Sequence, residues 1–368
     1  PLIMEQELLY RIALSRIKGM NKSLAQHIHE TVDSLALFFE LPEAQLQQMT
    51  GITGRILHDD ARRTALQAAR QEMEFIEKGN ITPLYFTDPA YPHRLVDCID
   101  APPLLYYRGT ADLNAAKVVS VVGTRRATDY GRSFCEAMIR DLAARFPHLI
   151  IVSGLAYGID ICAHRAALKQ GLDTVAVLAH GLDHIYPSSH RNTAAEMTAH
   201  GGLLTEYPGY HAMHPAFFVA RNRIVAGLAD AVVIVESREK GGALITAGIA
   251  ESYHRDVFAL PGDIHRESSA GCNHLIRRNL AALITSADDL VEAMCWHAPR
   301  REAVQRSLFP NLTDEEQPIV DYLKARGEGQ INHMTVELNQ PLSQLLSVLV
   351  ELEFKGVVKA LPGGVYKL

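Results

Sequence analysis

Two short apolar runs follow one another between Val118 and Lys169, each breaking into a glycine-bearing loop and then into a helical pattern. Few folds accommodate that order. Val118 to Val122 is apolar with a single serine, as a parallel strand buried on both faces requires. Gly123-Thr124-Arg125-Arg126 forms the turn, and Phe134, Met138 and Leu142 recur at helical spacing within Asp129 to Arg145. The unit then repeats, with Leu149 to Val152 as strand, Ser153 to Gly158 as loop and Ile159 to Lys169 as helix. Strands that alternate with helices build a parallel sheet, and right-handed crossovers place successive loops side by side at one sheet edge. Helix N-termini and glycine loops present unpaired amides there, which favours anions. Gly123, Arg125 and Arg126 of the first loop, with Ser153, Gly154, Ala156 and Gly158 of the second, therefore read as a phosphate-binding edge.

A dinucleotide-binding fold needs Gly-x-Gly-x-x-Gly after the first strand and an acid closing the second, to hold a ribose. The first loop has one glycine and the second strand ends in Ser153-Gly154. The sequence thus argues against a bound nicotinamide-type cofactor. The alternation continues through strands at Thr174 to Ala179, Leu203 to Thr205, Ala231 to Val235, Val257 to Leu260 and Ala281 to Ile284. Helices are predicted at Arg191 to His200, Phe217 to Leu228 and Leu244 to Tyr253, and another is predicted to open at Gly271-Cys272-Asn273. Lys240-Gly241-Gly242 makes a third glycine loop at the same edge. These elements predict an α/β fold with a Rossmann-like, doubly wound, mostly parallel sheet over residues 81–298.

Residues 1–80 are helical and strandless, with helices from Glu5 to Ser15, up to Glu30, and from the Met49–Gly54 turn through Glu77. They predict a small helical domain of sterile-alpha-motif or helix-hairpin-helix type, serving packing or protein contact. Ile81 to Tyr107 carries five prolines and reads as extended connectors with an edge strand. Residues 299–312, with Pro299, Arg300, Arg301, Arg306 and Pro310, read as a linker. Beyond it, Thr313 is expected to cap a helix running to Arg326. Helices at His333 to Leu338 and Leu342 to Phe354, with a ribbon at Val357 to Lys367 broken by Pro362, predict a winged-helix domain over 313–368. Its recognition helix carries Glu351 and Glu353 and no base before Lys355, so protein contact is expected of it rather than DNA reading.

The net charge of −6 excludes a bulk polyanion binder and confines nucleic-acid affinity to local clusters. Five cysteines, widely spaced and without a Cys-x-x-Cys pair, read as reduced thiols of a cytoplasmic protein. No apolar run reaches membrane-spanning length and no leader pattern opens the chain, so no membrane association or export is expected. His211-x-x-His214 lacks the further ligands a zinc site requires, so no metal is expected.

GTRRATDYG, SGLAYGID, GLDHIYP, FFVARNRIVAGL, GGALITA, PGD and GCNHLI occur in that order across the middle half of the chain. Together they resemble the bacterial DprA family of DNA-processing proteins of natural transformation. The resemblance implies a homodimeric, sequence-independent binder of single-stranded DNA that protects the strand and loads the RecA recombinase onto it. It also implies Arg125 and the amides of Gly154 to Gly158 as phosphate contacts, Phe218 as a base contact, and Arg221 and Asn222 beside the same groove. Lys240 and Gly241 complete the expected DNA-contacting set. No catalytic residue and no cofactor are implied.

The residues agree with that expectation. Single-strand binders pair an electropositive groove with aromatic faces, and Phe217-Phe218 precedes Arg221-Asn222-Arg223 by a few residues. One phenylalanine is expected in the core and Phe218 in the groove. Arg223 is either a groove contact or the ion-pair partner of Glu206 or Glu236. The competing reading is an enzyme of the lysine-decarboxylase-like phosphoribohydrolase type, whose glycine-loop signature Gly241-Gly242, Thr246 and Glu251 partly match. That signature's Gly-Thr step is absent, and no acid–base pair stands at the loops.

Overall fold

The computed structural model describes residues 2–296, 312–361 and 363–368, with side chains from Glu5 onward. They fall into two compact units, one ending at Trp296 and the other spanning 312–368. Among the described residues of the first unit, nine strands form one sheet in the order β1-β2-β6-β5-β4-β3-β7-β8-β9. The strands are β1 (Thr82–Tyr85), β2 (Leu104–Gly109), β3 (Val118–Gly123), β4 (Ile150–Ser153), β5 (Thr174–Val177), β6 (Gly201–Thr205), β7 (Ala231–Val235), β8 (Asp256–Ala259) and β9 (Ala282–Leu283). Strands β3 to β9 are mutually parallel. β2 lies antiparallel between β1 and β6.

β3 pairs with β4 on one side and β7 on the other, Val119 standing opposite Ile151 and Ala231. The winding direction reverses there, which opens a crevice beyond the strand C-termini. Alternate residues of β3 serve opposite faces. Val118 and Val122 join a core with Val152, Val232 and Ile234. Val119 and Val121 join another with Met138, Ile139 and Val233. The helix Asp129–Arg145 buries Cys135, Met138, Ile139 and Leu142 on that second face, and its Thr128 N-cap accepts from the Gly131 amide.

The N-terminal region holds five α-helices rather than the three expected: Leu2–Arg16, Lys22–Thr31, Leu35–Glu40, Glu43–Thr50 and Asp59–Lys78. Two of them span six and eight residues, too short for a period to show. Their core is shared with the sheet, since Ile12, Ile28, Phe38 and Leu46 cluster with Tyr106, Leu178 and Met197. The proline-rich stretch supplies two strands, not connectors with one edge strand. β2 is internal, while Pro83 sits on the true edge, β1, where a missing amide is tolerated.

Other boundaries shift for local reasons. The helix expected to open at Gly271 begins at Glu267. Gly271 lies inside it because the backbone carbonyls of Ser237 and Arg238 pass where a Cβ would stand. The expected helix Phe217 to Leu228 is two short ones, Pro215–Ala220 and Asn222–Gly227, meeting at Arg221.

In the second unit the helices are Gln317–Arg326, Ile331–Glu337 and Leu342–Phe354. Strands β10 (Glu328–Gln330), β11 (Lys359–Leu361) and β12 (Val365–Lys367) form an antiparallel sheet in the order β10-β12-β11. The expected two-stranded ribbon thus gains a third strand, whose polar Glu-Gly-Gln sequence carries no strand signal. Thr313 does not cap the first helix. Its amide donates instead to the Glu316 carboxylate (2.9 Å), which also receives Lys355 Nζ (2.6 Å). Ile319, Leu323, Met334, Leu345, Leu349 and Leu352 form the core. The linker expected over 299–312 lies outside the described residues but for its last position, Leu312, and Pro362 lies outside them too.

Candidate nucleic-acid interface

A cleft of about 300 Å³ opens at the β3/β7 crevice. Three glycine loops meet around it, Gly123–Thr128 after β3, Gly154–Gly158 after β4 and Glu236–Gly241 after β7, together with the helix Pro215–Ala220. Of the sequence-predicted site residues, Gly123, Arg125, Gly154, Ala156, Phe218, Arg221, Asn222 and Gly241 line it. Arg126, Ser153, Gly158 and Lys240 do not.

Arg125 is exposed and makes no ion pair among the described residues. Its guanidinium carbon lies 5.8 Å from the centre of the Phe218 ring, within cation–π range. A guanidinium over an aromatic face, both open to solvent, suits a phosphate and a base of one nucleotide. Phe218 is half-buried, and Tyr186 packs on it with centroids 5.7 Å apart. Phe217 is not the core residue expected. It too is half-buried, stacked on Tyr207 at 4.4 Å and beside His211.

Arg221 is buried and turned inward. Its Nη1 donates to the carbonyls of Gly154 (2.6 Å) and Val177 (2.5 Å), tying the second loop to β5. Burial lowers its pKa, and the nearby Asp160 opposes that shift. Arg221 thus forms the cleft floor. Arg223 is a structural ion pair, donating through both terminal nitrogens to the Glu206 carboxylate at 2.6 Å each. Ser153 is fully buried and donates to the Val121 carbonyl (2.6 Å), so its hydroxyl has no route to a ligand. Arg126 and Lys240 are exposed on the rims of their loops.

The loop amides expected to take phosphate are partly occupied. Asp160, the second residue of the helix Ile159–Lys169, accepts from the amides of Gly154 (3.1 Å) and Ala156 (3.4 Å). Burial raises its carboxyl pKa, and Arg221 and these amides pull the other way. Gly158 (φ +80°) lets the start of that helix press against the Thr124–Arg125 backbone, where any Cβ would collide. The Ile159 amide donates to the Thr124 carbonyl (3.2 Å), locking the two loops together.

The helix Asp129–Arg145 is filled in the same way. Glu236, buried at the end of β7, receives the Thr128 amide (2.8 Å) and hydroxyl (2.5 Å). Leu155 (φ +60°) and Glu236 (φ +58°) both hold left-handed backbone, strain of the kind that clusters at functional loops. Of the three helices that start at the cleft, Gly242–Ser252 has no carboxylate on its first amides or on the loop before them among the described residues. Its N-cap Gly241 makes no side-chain bond, and Gly242, Ala243 and Thr246 line the cleft. The unpaired amides expected of the second loop are therefore found at the third, which lines the same cleft as Arg125.

The roles of Asp160, Glu236 and Gly242 at the cleft escape sequence reasoning for different reasons. Asp160 follows Gly158 by two positions, where an acid at a helix start is a readable capping signal. Glu236 acts on Thr128 across 108 residues, which no local pattern reveals. Gly242 stands beside a residue that was singled out, and only the helix start distinguishes it.

Residues 82–295 match the profile of a family described as DNA recombination-mediator protein A. The protein Smf of Synechocystis is 31% identical over 94% of this chain and 88% of its own. The DNA processing protein DprA of Streptococcus pneumoniae is 42% identical over 55% of this chain and 71% of its own. The X-ray structure of DprA from Streptococcus pneumoniae superposes with a TM-score of 0.65 at 33% identity, covering 77% of this chain and 95% of that one. DNA processing protein A of Helicobacter pylori, described for its single-stranded DNA binding mode, superposes with a TM-score of 0.53 at 29% identity. It is covered over 96% of its length and 59% of this chain.

Proposed function

Because the chain belongs to the DNA recombination-mediator protein A (DprA) family, we propose that it binds single-stranded DNA without regard to sequence. In this reading it protects the strand, loads RecA onto it in the cytoplasm during transformation, and works as a homodimer without catalysing a reaction. The observation that carries it is the Arg125–Phe218 pair beside the open start of the helix Gly242–Ser252. A cation, an aromatic face and unpaired amides converge on one cleft. The Helicobacter pylori relative's described binding mode points the same way.

The non-catalytic reading has its own support. Among the described residues Asp160 is the one carboxylate lining the cleft, and it is held by backbone amides. Glu251, which the phosphoribohydrolase reading requires, lines a separate groove with Leu244 and Leu275. Incubation with nucleoside monophosphates is expected to release no free base. We further assign the second unit, with its three helices and three-stranded antiparallel sheet, to a winged helix that serves protein contact.

The test is affinity for single- and double-stranded oligonucleotides across a salt series. Single strands are expected to bind more tightly. Arg125→Ala should weaken every sequence alike and reduce the salt slope by about 0.7, the share of one phosphate on a single strand. Equal affinity for both forms, or an unchanged slope, would overturn the assignment.

A further inference from the structure

The sheet edge carries two exposed rings that the cleft does not use. Tyr186, in the loop after β5, is 45% exposed and its hydroxyl makes no hydrogen bond among the described residues. It touches Phe218 at an interplanar angle of 69°. Tyr157, in the loop after β4, is 49% exposed. Its ring meets His190 with centroids 5.0 Å apart, and Ser189 Oγ lies 3.5 Å from its hydroxyl. His190 is itself buried and bonded through Nδ1 to the Leu155 carbonyl (2.8 Å), so Tyr157 is braced by a fixed support.

Position along the chain relates the two rings. Ser189 follows Tyr186 by three residues, a span of at most about 11 Å even if fully extended, and the 3₁₀ turn Ser188–His190 shortens it. Phe218 touches Tyr186, and Tyr186 lies one short turn from the contacts of Tyr157. Arg191 closes the row, exposed and without an ion pair among the described residues. Both tyrosines keep about half their surface in water beside a cleft that already holds an aromatic–cation pair.

We infer that Phe218, Tyr186 and Tyr157 form a stacking track that leads a single strand out of the cleft toward β5, with Arg191 taking a phosphate at its far end. The inference rests on the single-strand reading above and adds the path and the length of strand engaged. Every base has a π-face, so such a track is indifferent to sequence.

Tyr157 provides the decisive test, because Tyr186→Ala also disturbs Phe218. The full chain and its Tyr157→Ala, Tyr157→Leu and Tyr157→Phe variants are titrated with a thymidine trinucleotide, as the short probe of the cleft, and with a dodecamer. Alanine and leucine should weaken the dodecamer by about 5- to 150-fold, leave the trinucleotide unchanged and leave the salt slope unaltered. Phenylalanine should bind as tyrosine does. Dodecamer affinity that survives both Ala and Leu, while Arg125→Ala still weakens it, would remove the track and leave the cleft standing. A chain that binds neither oligonucleotide would remove the single-strand reading itself.

Discussion

At the residue scale, Phe218 and His164 make opposite predictions. Phe218 is half-buried on a helix with no buried residue. Phe218→Ala should therefore cost far less than the roughly 3–5 kcal/mol lost when a core phenylalanine is truncated. Its effect should fall on binding, about 1–3 kcal/mol of single-strand affinity at an unchanged salt slope, with Tyr or Trp restoring it. Melting curves and isotherms on one sample separate the two quantities. His164 is fully buried, its Nδ1 bonded to Thr174 Oγ1 (2.7 Å) and its Nε2 without a partner. Burial pushes its pKa down to about 3. Between the unfolded value near 6.5 and that level, the unfolded chain binds a proton that the folded chain refuses. Stability from this group is therefore complete above pH about 6.5 and is lost as pH falls, at about 1.4 kcal/mol per unit. His164→Asn should flatten the decline between pH about 6 and 4 by nearly one proton in chemical denaturation. An unchanged slope would show that the imidazole reaches solvent.

At the scale of the element, what the sequence discloses follows from how locally each feature is determined. Parallel strands buried on both faces must be continuous apolar runs, so Ala231–Val235 is readable to the residue. The helices Asp129–Arg145 and Ile159–Lys169 are equally plain, each opened by a glycine or threonine and an acid. Arg125 and Phe218 were legible as a cation and a ring near the glycine loops, and the fold brings the two together at the cleft. The allocation of the loop amides was not legible. It depends on Asp160 folding back and on Glu236 arriving from a distant strand. The inward turn of Arg221 was hidden for the same reason, since its acceptors lie 44 and 67 residues away. Asp160→Asn tests this allocation. It removes the nearest negative charge from buried Arg221, so the melting temperature should fall. It also removes a negative charge beneath the strand, so single-strand affinity should rise. Lower affinity in a folded variant would show that the carboxylate orients the loop for binding rather than opposing the strand.

For the molecule as a whole, the two units have separate cores and different surfaces. The cleft and its flanking rings belong to the first. The second exposes Leu342, Leu346, Val350 and Phe354 at intervals of four along one helix, an apolar stripe unlike a groove-reading surface. Removing residues 312–368 is therefore expected to leave single-strand affinity within a few-fold, measured by the same titrations. A collapse of binding would assign the second unit a share of the DNA.

Asp160 and Glu236 have one more consequence, which concerns competition. Phosphate-binding helix starts in nucleotide-dependent proteins are occupied by the small nucleotides that crowd a cell. Here Glu236 holds Thr128 at the first of the three helix starts, Asp160 holds the Gly154 and Ala156 amides ahead of the second, and few amides stay unpaired at the third among the described residues. A lone nucleotide finds too little to hold, whereas a polymer adds its contacts along the edge. If the proposed single-strand binding holds, millimolar ATP should accordingly fail to displace a bound oligonucleotide in a competition titration, leaving the surface vacant for DNA however full the metabolite pool becomes.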